Sequence, residues 1–123
     1  MEYVHTNNAP EAIGPYSQAV KVGNFVFTSG QIAINPVTGA VEAQTIEEQT
    51  EQVCKNLSEV LKAAGTDITK AVKTVCFLSD MDNFAKFNEV YGKYFSGKPA
   101  RSCVAVKTLP KNVLVEVDVI AEI

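Results

Sequence analysis

Arg101 stands at the mouth of an alternating apolar stretch, Pro99-Ala100-Arg101-Ser102-Cys103-Val104-Ala105-Val106. A guanidinium held at a strand start can grip a carboxylate through two parallel N–H···O bonds. Hydrogen bonds to charged groups contribute roughly 1.5–3 kcal/mol each, enough to orient a small acid. Glu116 falls on the face of a later strand shared with Leu114, Asp118 and Ile120, a half-polar setting. Burial there would raise its pKa toward neutrality and let it hold and partly deprotonate a water. Each residue also has a plainer reading. An isolated arginine at a strand start is more often a surface cation, and Glu116 reads equally as an inward-pointing charge on an edge strand. Asn88 and Tyr16 are either donors into such a pocket or core residues with satisfied polar ends. Cys103 shares the face of Arg101, but no base accompanies it, so it reads as a packing residue whose backbone matters rather than as a nucleophile.

Other chemistries lack their parts. The single histidine, His5, lies in the frayed start of the chain, so neither a Ser-His nor a Cys-His pair is supported, and Ser29 lacks the G-x-S-x-G elbow. Cys54, Cys76 and Cys103 are an odd set without C-x-x-C spacing, which suggests reduced thiols and no metal site. Gly92 to Lys98 matches the start of a phosphate loop, yet Pro99 stands where the Ser or Thr that holds magnesium belongs. A formal charge of −3 with scattered Lys and Arg argues against a nucleic-acid partner, which requires clustered cations. No run approaches the ~18 apolar residues of a membrane span, and the N-terminus has no signal-peptide pattern. A cytoplasmic protein with no membrane partner is expected.

The elements that must position these residues follow from the hydrophobic pattern. At 123 residues, 46% of them hydrophobic, the chain suits one domain over 1–123. Tyr3 to Thr6 reads as a short edge strand. Gln18–Val22 and Asn24–Thr28 flank a Gly23-Asn24 turn as a hairpin. Thr45 and Glu48 form a capping box, with each side chain on an amide of the first turn, that launches a helix whose buried stripe runs from Ile46 to Ala64 and ends at Gly65. Val72 to Leu78 is a strand. In a second helix, Phe84, Phe87, Tyr91 and Phe95 form the buried stripe with Asn88 on the same side.

Arg101–Lys107 and Val113–Ile120, joined through Leu109-Pro110-Lys111-Asn112, read as a closing antiparallel hairpin. In that hairpin Arg101, Cys103 and Glu116 share a face only if opposed positions sum to an odd number. The order of elements favours an α+β fold with two helices on one side of the sheet. Because Phe25-Val26-Phe27 is apolar on both faces, the side without helices is expected to meet further copies of the chain.

Several ordered motifs then converge. Gly14-Pro15-Tyr16-Ser17-Gln18-Ala19, Phe27-Thr28-Ser29-Gly30-Gln31, Phe87-Asn88-Glu89-Val90-Tyr91, Pro99-Ala100-Arg101 and Val115-Glu116-Val117 together resemble the RidA, or YjgF, family of imine deaminases along almost the whole chain. The resemblance implies a chorismate-mutase-like α+β fold and a homotrimer with sites between subunits. It implies hydrolysis of enamine and imine acids, such as 2-aminoacrylate and 2-iminopropanoate, to 2-keto acids and ammonia without a cofactor. Arg101 would clamp the substrate carboxylate and Glu116 would position water. Backbone near Ser29, Gly30 and Cys103 would hold the imine, and Tyr16 and Asn88 would line or brace the pocket. Two other classes stay open: a trimer that only binds small carboxylates, and an endoribonuclease, as reported for some relatives.

Overall fold

The computed structural model describes residues 1–123 as a six-stranded mixed sheet with two α-helices on one face. The strands are β1 (Glu2–Val4), β2 (Ala19–Val22), β3 (Phe25–Thr28), β4 (Ala71–Leu78), β5 (Ala100–Ala105) and β6 (Val115–Glu122), and the helices are α1 (Ile46–Ala63) and α2 (Phe84–Tyr94). Spatial order is β1-β2-β3-β6-β4-β5. The β2–β3 hairpin turns at Gly23, whose φ of +57° lies in the left-handed region.

Helix α1 starts where Thr45 accepts the Glu48 amide. The box differs in one detail: Glu48 takes the Thr45 hydroxyl proton at 3.0 Å rather than the Thr45 amide. At the other end Gly65, at φ +90°, lets its own amide and that of Thr66 return to Lys62 and Leu61. The stripe between these caps, including Val53, Leu57, Val60 and Leu61, is buried against the odd-numbered residues of β6 and the inner residues of β4. Truncating such a side chain, as in Leu57→Ala, typically costs about 2–5 kcal/mol.

The closing hairpin is not formed. β5 lies parallel to β4, with Thr74 opposite Arg101 and Cys76 opposite Cys103, while β6 inserts antiparallel between β3 and β4. The physical reason lies one element earlier. β4, α2 and β5 make a strand–helix–strand crossover, which returns the chain parallel to the strand it left. The stretch from Val106 to Leu114 is then long enough to carry the chain past β4 to its other side, whereas a two-residue turn would have forced pairing with β5.

This changes which residues share a face. Thr74 and Cys76 are fully buried under the helices, and Arg101 and Cys103 point the same way. Glu116 is opposite Phe77, on the other side of the sheet. That outer face is apolar for much of its extent, with Phe25, Phe27 and Val104 left 42%, 44% and 48% exposed while Val26 between the two phenylalanines is fully buried. No helix is long and apolar enough to cross a membrane.

Candidate active site

Of the sequence-predicted site residues, Asn88 and Arg101 line one cleft and Tyr16, Gly30 and Glu116 line another on the opposite face of the sheet, while Ser29 and Cys103 line neither. The first cleft, about 640 Å³, lies between α2 and the edge strand β5 and contains Arg101, Asn88, Tyr91 and Phe95. Asn88 does not sit in the core as the stripe suggested; it is exposed at the flank of α2, where its Oδ1 accepts from Arg101 Nη1 at 2.5 Å. The polar amide thus finds the guanidinium as its partner. The Arg101 carbon Cζ also lies 4.9 Å from the Tyr91 ring centroid and 5.4 Å from that of Phe84. A guanidinium at that range over an aromatic face is attracted by the ring quadrupole. Helical spacing alone assigns Tyr91 and Phe84 to the buried stripe; their positions three and four residues from Asn88 are the signal that they also flank the cation.

Cys103 is half-buried two residues along the same face. Burial pushes its thiol pKa up, and nearby Arg101 only partly pulls it back. A protonated thiol is a poor nucleophile, which agrees with the reading of Cys103 as a packing residue. Its backbone is placed differently. The Val106 amide donates to Leu78, so by the alternation of strand amides the Cys103 N–H points to the unpaired edge of β5.

The second cleft, about 360 Å³, gathers Glu116, Tyr16, Gly30, Gln31, Pro110 and Lys111. Glu116 is raised above the ordinary carboxylate pKa, first by burial and then by Asp118 two residues along the same face. Asp118 is itself raised by burial, with a backbone hydrogen bond from Val75 opposing. The Glu116 carboxylate rests on Gly30: a Cβ there would clash with Glu116 Oε2, so any other residue would push the carboxylate from its place. Regular β3–β6 pairing stops here. Thr28 Oγ1 takes the Val119 amide, and pairing resumes with Gln31 opposite Val117, which throws Ser29 and Gly30 out of the ladder. The Gly30 amide has no partner within the chain. Ser29 donates its hydroxyl to the Ser17 carbonyl at 2.6 Å, so that proton is engaged in holding the Tyr16 loop.

Gln18, just before the first strand of the β2–β3 hairpin, anchors the same loop. It is buried, accepts from the Thr6 amide at 2.7 Å and donates to the Pro10 carbonyl at 2.7 Å. A polar side chain at the start of an apolar strand, within the Gly14–Ala19 motif, is its signal in the sequence. Tyr16 emerges from this braced loop 53% exposed.

Arg101 and Glu116 therefore do not meet within one chain. The odd-sum register set for the hairpin has no pair of strands to apply to, because β4 lies between β5 and β6. One half holds a cation in a cage, and the other holds a raised carboxylate beside a free amide.

A two-helix, six-stranded α+β domain of this topology has close counterparts. The family model described as Endoribonuclease L-PSP matches residues 6–123. Reactive Intermediate Deaminase A from Arabidopsis thaliana is 48% identical over 121 residues, covering 98% of this chain and 65% of that protein. A crystal structure described as a putative endoribonuclease from Thermotoga maritima superposes with a TM-score of 0.97 at 51% identity, covering 100% of this chain and 98% of that one. The structure of TdcF from E. coli with bound serine gives a TM-score of 0.94 at 39% identity, covering 100% and 99%. The chain belongs to the YjgF/RidA family, whose members include reactive intermediate deaminases.

Proposed function

We propose that this protein hydrolyses reactive enamine and imine acids, 2-aminoacrylate and 2-iminopropanoate among them, to 2-keto acids and ammonia. The observation that carries the reading is the caged Arg101 guanidinium, bound to Asn88 and packed on two rings at the open edge of the sheet. A carboxylate is the complementary ligand for such a cation. A deaminase among the relatives and an amino acid bound to another support the same class of substrate.

The two clefts act together when a second copy of the chain covers the apolar outer face, so that Arg101 of one subunit approaches Glu116 of the next. The exposed Phe25, Phe27 and Val104 support that association, and a homotrimer is the assembly proposed. Arg101 holds the substrate carboxylate. The amides of Gly30 and Cys103 face the reacting end, while Glu116 orients a water and accepts its proton. Water adds to the imine carbon as its proton passes by way of Glu116 to the nitrogen, and collapse of the tetrahedral adduct moves the hydroxyl proton to the same nitrogen, which leaves as ammonia and gives the keto acid. The raised pKa of Glu116 suits proton transfer closer to neutrality than an exposed carboxylate allows. Imines hydrolyse in water unaided, so positioning suffices and no nucleophilic side chain is required. The protein works without a cofactor, and the net charge of −3 does not favour RNA as the substrate.

The test generates 2-aminoacrylate in situ and follows pyruvate. Wild-type protein should accelerate its formation, and Arg101→Ala should lower kcat/KM by roughly 10²–10⁴-fold, the equivalent of two charged hydrogen bonds. No acceleration by the wild type removes the deaminase reading and leaves a carboxylate-binding protein.

A further inference from the structure

We infer that Tyr91 is a positioning residue for the carboxylate clamp: its ring face, fixed from behind by Thr74, sets the plane in which Arg101 presents its free N–H groups. This rests on the carboxylate-binding part of the proposed function and goes beyond it by locating the control of that grip in a residue that touches no substrate.

Three observations carry it. Thr74 is fully buried on β4 directly opposite Arg101, and its Oγ1 lies 2.7 Å from the Tyr91 hydroxyl. The thiol of Cys76, next on the same face, donates to Thr74 Oγ1 at 3.8 Å, so the threonine hydroxyl is itself held. In front, the Tyr91 ring lies 4.9 Å from Arg101 Cζ, while Phe95 stacks on the same ring with a centroid distance of 4.4 Å. The ring is thus pinned at its hydroxyl, backed by a second aromatic and faced by the guanidinium. Asn88 takes Nη1, which leaves the rest of the guanidinium edge for a ligand.

An unpinned arginine spreads its planar fork over many rotamers, and each bidentate bond to a carboxylate must then be formed against that entropy. A cation–π contact and one fixed hydrogen bond remove much of this freedom before the ligand arrives. A phenylalanine would supply the same ring face but leave Thr74 without its partner; an aliphatic residue would fill the space without the quadrupole.

The experiment measures pyruvate binding by calorimetry and, in parallel, the ¹⁵Nε–¹H signal of Arg101, assigned by its disappearance in Arg101→Ala. In wild type that signal should show an aromatic ring-current shift. Tyr91→Leu should reduce the shift to the part that Phe84 supplies and bind pyruvate roughly 10- to 30-fold more weakly. Tyr91→Phe should keep the shift and lose about two- to threefold, and Thr74→Val should match Tyr91→Phe because both remove the same bond. A folded Tyr91→Leu protein with wild-type affinity overturns the inference. So does Tyr91→Phe falling as far as Tyr91→Leu, which would assign the effect to the hydroxyl. Should Tyr91→Leu not fold, an unshifted Arg101 signal in wild type refutes the cage, and unchanged affinity in Thr74→Val refutes the pin. Wild type that binds pyruvate in this way yet does not accelerate imine hydrolysis would end the deaminase reading and keep the inference; wild type that binds no pyruvate ends the clamp itself.

Discussion

The two clefts solve opposite electrostatic problems. Around Arg101 the protein supplies partners for a charge: an amide oxygen, two ring faces and an open strand edge. Around Glu116 it withholds them, so that burial and a neighbouring carboxylate both disfavour the charged form. The first arrangement suits an ionic grip on an anion; the second favours the protonated form of a carboxylate. Placing them on opposite faces keeps the two from neutralising each other inside one chain. A direct Arg101–Glu116 ion pair would lower the Glu116 pKa and occupy the clamp at once.

The contrast can be broken most sharply by separating the halves. Arg101→Ala and Glu116→Gln proteins should each be almost inactive alone. If each site takes Arg101 from one subunit and Glu116 from its neighbour, unfolding and refolding the two together should restore activity at about one quarter of the sites, those in which both halves are intact by random mixing. Activity that stays at the level of the separate variants would show that no site is shared between copies.

Glu116→Gln sharpens the other half. Loss of a positioned general base typically costs 10²–10⁴-fold, so kcat should fall by about 10²-fold while pyruvate affinity changes little. The pH profile gives the sign. With its pKa raised, Glu116 is active only when ionised, so wild-type kcat/KM should rise through that pKa and level off, and the glutamine variant should lack this rise. Stability should move the other way. A carboxylate with a raised folded pKa carries no penalty below its unfolded pKa and the full penalty above its folded one. Glu116→Gln should therefore raise the Tm at neutral pH and leave it unchanged in strong acid; an equal Tm shift at both would disprove the linkage.

Gly30 tests the junction between Glu116 and its free amide. A methyl group at Gly30 would overlap Glu116 Oε2, so Gly30→Ala must displace the carboxylate. Because the end of a flexible side chain can move, the fold should survive. Activity should drop by roughly tenfold, in keeping with the large cost of small misplacements of catalytic groups. Wild-type turnover in Gly30→Ala would mean that the position of Glu116 over that residue is unimportant.

How far these features could be read in advance depended on the range of the interaction. Thr45, Gly65 and the α1 stripe are set by neighbours within a few residues, and the capped helix follows from them. Phe25-Val26-Phe27 announced a sheet with two apolar faces, since no strand covered on one side alone needs both. Arg101 and Glu116 were legible as residue types, and family motifs ordered them. Their placement on opposite faces was not, because strand order is decided by pairing over long sequence separations. The pattern around β5 and β6 is satisfied equally by a hairpin and by two strands flanking β4, and only the crossover through α2 distinguishes the two. Asn88 shows the same limit. Helical spacing put it on the apolar side, yet it lies at the margin of that face, where only the position of Arg101 gives it a partner.

The smallest expected effect belongs to Cys103, and it separates side-chain from backbone chemistry within the Arg101 half. The thiol is half-buried opposite Cys76, whose own pKa burial pushes up to about 12. With both thiols protonated at neutral pH and no base near either, nucleophilic attack by Cys103 has no driving group. Cys103→Ser keeps the strand amide at the open edge and nearly the same volume, so imine hydrolysis should stay within about twofold of wild type, with a stability cost of roughly 1 kcal/mol for the added polar group. A loss of more than tenfold with the fold intact would instead make the sulfur a participant and move the chemistry away from Glu116. Between those outcomes lies the choice of which half of the site performs the reaction and which half holds the acid in place.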